Sequence, residues 1–464
     1  MSYVVAEPTK SVLDEEIAGL ATAVRPTGRG ERISSIDVLR GFALLGILVL
    51  NIDAFGNPEG PHDIPIGTPI DNFSGPHAHL NLMLLLVKWT FFEAKMRGIF
   101  SMLFGAGVVL MTRRAERRGA GGEFADTYLR RNMWLVFFGF MHGVFIWFGD
   151  ILFDYGLAAL LFLYPFRKLK PKTLLLAGTV LSAVMATIGA ALFTGSMQDV
   201  PLSYKAAAIS QRAANHESIS AEDQATLKTW QARVDAQQIT PEMIKGEMAS
   251  THAGYWQTVN DRMQLYIGPA FSQIHVDLAA DNLSAMLIGM GMFKLGFFTA
   301  EMSYASYAWT VLIGFGLSIP LYVFGILRSY ADHFNFITMD KWVYGPYYLT
   351  REPGMLAIAA VIMLLVKSGT FRTPQQLLAA VGRTALSNYL MTSLICQFIF
   401  VWGPWKLFGT LQYYQLMFVV FGVWAFNLTF STLWLRYFEF GPFEWLWRSL
   451  TYWKAQPMRL RTLA

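Results

Sequence analysis

The chain has 464 residues, of which 54% are hydrophobic and only 15% charged, with a net charge of +5. An average soluble domain is about 25% charged, and soluble helices of this total length would still alternate with charged faces. The basic residues sit in short patches beside apolar runs, which is how membrane topology is encoded; this excludes nucleic acid as the partner and makes membrane lipids the surroundings.

Residues 1–35 read as a cytoplasmic tail, with a short amphipathic helix around SVLDEEIAGLATAV and no secretory signal peptide. A helix crossing hydrocarbon needs roughly 20 mostly apolar residues. Such windows lie near 36–55, 92–112, 128–148, 150–166 and 173–195, and again near 278–299, 304–327, 352–368, 378–402 and 413–435. The stretch 80–91 is too short to span beside its neighbour and is expected at the interface or as an extension of the second span. The predicted fold is all-α: a polytopic transmembrane helix bundle of about ten spans in a bacterial inner membrane. Two five-span bundles, 36–195 and 273–435, flank an extracytoplasmic helical loop at 196–272. A cytoplasmic amphipathic tail follows at 436–464.

Orientation follows Lys and Arg in short loops. RRAERR lies between the second and third spans and RKLKPK between the fourth and fifth, whereas residues 56–80 hold no Lys or Arg. Both termini are therefore expected in the cytoplasm. No internal repeat and no paired broken helices of the transporter type stand out. Cys396 cannot form an intrachain disulfide, being the single cysteine, and its apolar run suits packing better than nucleophilic chemistry.

Polar groups inside a bilayer are expensive, about 2.5–3.5 kcal/mol each for a central charge, and they mark function by default. In SIDVLRGFALLGILVLNIDAF, Asp37 and Arg40 share a helical face three residues apart. They form either an interfacial ion pair that sets helix depth or an anion site; Asn51 and Asp53 lie at the other end of the span. In FFGFMHGVFIWFGDILFDYG, His142 and Asp150 are eight apart and share a face if the helix continues. A carboxylate partner orients an imidazole and raises its basicity, although a histidine tying two helices together has the same appearance. In VGRTALSNYLMTSLICQFIF, Arg383 precedes Ser387, Asn388 and Thr392, which read as helix glue or as polar donors. In LWLRYFEFGPFEWLWRSLTYWK, the Trp, Tyr, Arg and Lys mixture marks an interfacial helix whose Arg436, Glu439, Glu444 and Arg448 could close a vestibule. Lys95 and Arg97 precede a glycine-rich helix in which Gly105 and Gly107 suggest close helix contact. His77 and His79 alone make a poor metal site, and no metal is expected.

These four motifs, in this order, resemble the YeiB family of bacterial inner-membrane proteins, whose C-terminal half is a domain of unknown function. The D-x-x-R-G opening at Asp37, Arg40 and Gly41 is also similar to that of heparan glucosaminide acetyltransferases. That resemblance implies an acyl-CoA-dependent O- or N-acyltransferase. It would use acyl-CoA or acetyl-CoA from the cytoplasm on a glycan, lipid or small-molecule acceptor at the outer side. The acetyltransferases place a histidine in the first outer loop, where this chain has His62, His77 and His79; the YeiB pattern supplies His142 instead. In this reading His142 is the base, Asp150 orients it, and Asn51 or Asn388 serves the oxyanion. Asp37, Arg40, Arg97, Arg130, Arg131 and Arg383 lie at the coenzyme. The competing class is a transporter or exporter with a relay through His142, Asp150 and Asp53. A third is a regulatory membrane protein whose 196–272 loop binds a partner. A homodimer is compatible with all three.

Overall fold

The computed structural model describes residues 33–58, 69–118, 124–237, 240–267 and 269–460; the amphipathic stretch expected within 1–32 and His62 lie outside them. Among the described residues the fold is all-α, with one isolated bridge between Phe438 and Arg459. The helices are α1 (Ser34–Gly56), α2 (Ala78–Phe91), α3 (Lys95–Arg117), α4 (Phe124–Phe145), α5 (Leu152–Phe166) and α6 (Pro171–Ala214). Next come α7 (Ala221–Gln237), α8 (Pro241–His252), α9 (Tyr255–Ile267), α10 (Pro269–Lys294), α11 (Tyr304–Ala331) and α12 (Phe336–Met339). The last are α13 (Tyr347–Ser368), α14 (Arg372–Arg383), α15 (Ala385–Gln397), α16 (Tyr413–Tyr437) and α17 (Pro442–Thr451).

Each of the ten predicted spans overlaps helix, but 128–148 and 278–299 run past the ends of α4 and α10. Among the described residues, six stretches are long and apolar enough to cross a membrane: Ser34–Gly56, Ala78–Arg117, Tyr304–Ala331, Ile337–Ser368, Ala385–Trp402 and Tyr413–Tyr437. Leu152–Phe166 and Pro171–Thr187 are apolar but shorter. Leu129, Met133, Phe137 and Met141 are exposed at every fourth position of α4, and Leu317, Leu321 and Phe324 are exposed on α11. Water would not tolerate such stripes on a stable monomer; lipid does. The protein is a polytopic membrane protein.

Three local readings change. The 80–91 stretch forms its own helix, α2, ended by a kink in which Ala94 takes φ 56°. The kink lets Lys88 of α2 pair with Asp53 of α1. Neither expected edge of the 196–272 loop is a helix boundary, because α6 and α10 run through them. The expected continuous span 378–402 is broken at Thr384, whose φ of −112° and ψ of 34° separate α14 from α15.

A break inside a membrane protein frees carbonyls on one side and N–H groups on the other, and no water is at hand to satisfy them. Here side chains do so. Thr384 Oγ1 donates to Ala380 O (3.0 Å), and Asn388 Nδ2 donates to Val381 O (3.3 Å), Thr384 Oγ1 (2.9 Å) and Ser431 Oγ of α16 (2.8 Å). On the other side, the Glu444 carboxylate of α17 accepts the N–H groups of Leu386 (2.6 Å) and Ser387 (3.2 Å).

The break lets α14 lie against the start of α1. A Cβ on Gly41 would stand 2.0 Å from Leu378 O, and one on Gly382 only 1.9 Å from Asp37 O. No other residue fits at either position without moving backbone. Of the two glycines expected at a close helix contact, Gly105 packs against Met286 O of α10, whereas a Cβ on Gly107 would meet nothing within 4 Å.

Candidate functional site

A cavity of about 260 Å³ opens where α1, α3, α4, α14, α15 and α17 converge; counting its open mouth, the atom-free space is about 1850 Å³. Its lining divides by chemistry. Arg40, Arg114, Arg118, Arg131, Arg383 and Arg448 bring six guanidinium groups to it, with Asp37 and Glu444 among them. Much of the remaining wall is apolar, including Leu44, Phe104, Val108, Leu135 and Leu152. The cation-rich part gathers helix ends: Arg40 near the start of α1, Arg114 and Arg118 at the end of α3, Arg383 at the break, and Arg448 in the last turn of α17.

These arginines are held in place. Arg40 Nη1 pairs with Asp37 Oδ1 at 2.9 Å and donates to Gly382 O at 3.4 Å, across the glycine crossing. The Arg131 guanidinium lies 3.7 Å from the Trp447 ring centre, and Trp447 Nε1 donates to Arg131 O at 2.8 Å. Planar stacking of this kind suits arginine rather than lysine. Burial raises the Glu444 carboxyl above its ordinary value, a rise opposed by its bonds to Ser387 and Leu386.

Ile151, Leu152 and Tyr389 line the cavity, and behind Tyr389 stands the predicted pair. His142 Nδ1 lies 2.8 Å from Asp150 Oδ1, both side chains being almost wholly buried. Asp150 Oδ2 accepts Phe153 N–H at 2.8 Å, and Tyr389 Oη donates to Asp150 Oδ1 at 3.4 Å while accepting Ile151 N–H at 3.3 Å. The Tyr389 and His142 ring centres are 5.0 Å apart. His142 Nε2 has no hydrogen-bond partner among the described residues. The two residues meet because α4 ends at Phe145 and the chain turns back, not because the helix continues. From Arg131 to His142 along α4 is eleven residues, about 16 Å at 1.5 Å per residue.

The far side of this hairpin is covered by α9. Tyr255 Oη donates to Phe145 O (3.1 Å), Arg262 Nη1 to Ile146 O (2.6 Å) and Tyr266 Oη to Phe148 O (3.1 Å). Arg262 Nη2 also reaches Gln397 Oε1 of α15 at 3.2 Å. Burial lowers the Arg262 guanidinium to about 10, so it stays cationic at neutral pH. Part of the 196–272 loop is thus a cover on the histidine hairpin.

Other predicted residues lie elsewhere. Arg97 pairs with Asp281 (3.0 Å) and bonds Tyr347 Oη (3.1 Å), away from the cavity. Asp281 also pairs with the fully buried Arg351 at 3.0 Å, and Arg351 with Glu352 at 2.8 Å, in a network that ties α3, α10 and α13 together. Arg130 pairs with Asp126 one turn earlier on α4, outside the cavity lining. Asn51 does not line the cavity, and Asn388 spends its donors on the helix break. Asp53 is paired with Lys88 rather than joined to His142. Sequence reasoning missed Arg114 and Arg118, whose RRAERR turn was read for orientation alone. It also missed Tyr389, in a motif where only the smaller polar residues drew notice.

Residues 292–454 match the family described as Protein of unknown function (DUF418). This DUF418 region holds α11 to α17 and so supplies Arg383, Tyr389, Glu444 and Arg448. Beyond it, the chain is 29% identical over 442 residues to "Uncharacterized protein YxaH" of Bacillus subtilis (strain 168), covering 95% of this chain and 99% of the relative. It is 28% identical over 460 residues to "Uncharacterized protein YeiB" of Escherichia coli (strain K12), covering 93% and 99%. A protein of Bacillus acidopullulyticus, "Uncharacterized 39.9 kDa protein in amylase 3'region", is 26% identical over 94% of the chain and 98% of its own length. These likenesses support the YeiB-like family. No solved structure matches.

Proposed function

We propose that this membrane protein is a transmembrane acyltransferase of a bacterial inner membrane, taking acyl-CoA at the arginine-lined mouth. The observation that carries the reading is one cavity joining six arginines to an apolar interior that ends at Tyr389, in contact with the His142–Asp150 pair. Acyl-CoA has the matching order of parts: phosphates, a slender pantetheine arm and an acyl thioester. Charge-assisted bonds from arginine to phosphate are about twice as strong as neutral ones.

Asp150 holds the proton on His142 Nδ1 and leaves Nε2 as the base. As the acceptor hydroxyl or amine bonds to the acyl carbonyl carbon, His142 Nε2 takes its proton. The carbon–sulfur bond then breaks, and His142 returns the proton to the departing thiolate. Tyr389, at the cavity wall, donates its hydroxyl proton to Asp150 and so steadies the carboxylate that orients His142; Asn51 and Asn388 lie outside the cavity lining. For an acceptor to reach His142 from that side, α9 must move off the hairpin carbonyls held by Tyr255, Arg262 and Tyr266.

The test is acyl-CoA binding by the purified full chain in detergent, followed by calorimetry. Binding weakened about tenfold in Arg131→Ala and nearly unchanged in Arg130→Ala is expected; absence of any binding by the wild type removes the proposal. A transporter reading has one observation in its favour, the broken helix at Thr384, since half-helix ends often face transported ions or substrates. Acyl-CoA-independent counterflow in proteoliposomes would favour it.

A further inference from the structure

A second recess, of about 510 Å³, opens where the start of α1, one face of α14 and the end of α16 meet. Three arginines line it: Arg372 and Arg383 at the two ends of α14 and Arg436 in the last turn of α16. Gln376 and the Ser34 side chain add polar groups. Among the described residues no Asp or Glu lines it, in contrast to the main cavity, which carries Asp37 and Glu444. Three guanidinium-bearing residues around one concavity make its potential positive and draw an anion to it. Arginine is the side chain whose planar fork matches phosphate oxygens.

The rim indicates which anion. Phe371, immediately before Arg372, is 69% exposed, and Leu433 and Tyr437 beside Arg436 are 48% and 69% exposed. Exposed apolar and aromatic side chains next to exposed arginines mark the level of the bilayer headgroups. Basic pockets between membrane helices at that level take anionic lipid. Phe426, exposed about two turns before Leu433, continues the apolar surface along α16.

We infer that this recess binds the phosphodiester headgroup of an anionic phospholipid, with the acyl chains lying along α16. Arg383 lines both this recess and the main cavity, so the lipid phosphate and any main-cavity ligand share one guanidinium-bearing residue. The assignment does not depend on acyl transfer.

Native mass spectrometry of the full chain, exchanged into detergent with phosphatidylglycerol or phosphatidylethanolamine, tests it. The wild type is expected to retain phosphatidylglycerol in preference, at one molecule per chain. The Arg372→Gln, Arg436→Gln double variant is expected to lose that retention about tenfold or more. Should the double variant fail to fold, the exposed Arg436→Gln change alone is expected to weaken retention about fivefold. Equal retention of the two lipids, or unchanged retention in the variants, overturns the inference. Inorganic phosphate is the soluble control: if it raises the melting temperature as much as the lipid does, and the gain disappears in the variant, the recess serves a free anion and not a lipid.

Discussion

The Glu444 carboxylate accepts the backbone N–H of Leu386 at 2.6 Å, reaching it across 58 residues of sequence. The last helix of the chain thereby caps the second half of a broken membrane helix, and the same carboxylate stands in the lining of the arginine-rich cavity. A structural cap and a candidate ligand site share one residue.

Replacing that cap exposes its value. Glu444→Ala leaves the N–H groups of Leu386 and Ser387 without their acceptor, at a cost of about 1–3 kcal/mol. Glu444→Gln keeps an amide oxygen for them and is expected to cost less. Thermal unfolding in detergent ranks the three proteins, and an alanine variant as stable as the glutamine one contradicts the capping role.

The pH dependence of that residue has an unusual sign. Burial raises the Glu444 carboxyl above its ordinary value of 4.5, so the folded protein binds the proton more tightly than the unfolded chain. Stability from this group is present below pH 4.5 and is lost as pH rises through the raised value. Glu444→Gln has no such loss. Melting curves from pH 4.5 to 8 are expected to shift in favour of the glutamine variant, and a shift toward the wild type rules this out.

Two adjacent arginines separate ligand binding from surface charge. Arg131 lines the cavity and stacks on Trp447, while Arg130 pairs with Asp126 outside it. Arg131→Ala is expected to weaken acyl-CoA binding about tenfold, the size of one charge-assisted bond, and Arg130→Ala to change it less than twofold. Equal losses in a titration would mean that net charge, not the cavity, attracts the coenzyme.

The histidine hairpin is tested through its carboxylate. Asp150→Asn keeps a similar shape but no longer favours the Nδ1 proton on His142, and transfer is expected to fall by about 10²-fold or more. Loss of transfer should come with retained acyl-CoA binding. If binding and melting temperature fall together, the pair holds helices and does not act on substrate.

A control for pure structure lies in the second ion network. Arg351 is fully buried and pairs with both Asp281 and Glu352. Arg351→Met leaves the buried Glu352 with no cationic partner, while Asp281 keeps Arg97; removing one partner of a buried pair typically costs about 3–5 kcal/mol. A variant that melts like the wild type would show that the network is not closed as seen.

The sequence by itself determined the solvent and the elements. Apolar runs near membrane thickness mark where the chain is helical, and the nine residues from His142 to Asp150 nominate that pair, because these signals are written in neighbouring residues. Tertiary structure alone decided which charges belong together. Whether Arg97 joins a coenzyme or Asp281, whether Asn388 faces a substrate or a helix break, and which six arginines surround one cavity depend on contacts between helices far apart in the chain. A buried charge or donor must find a partner, and many partners satisfy the same local pattern. The packing of α14 on α1 through Gly41 and Gly382 makes the choice, since it sets which side chains come within reach.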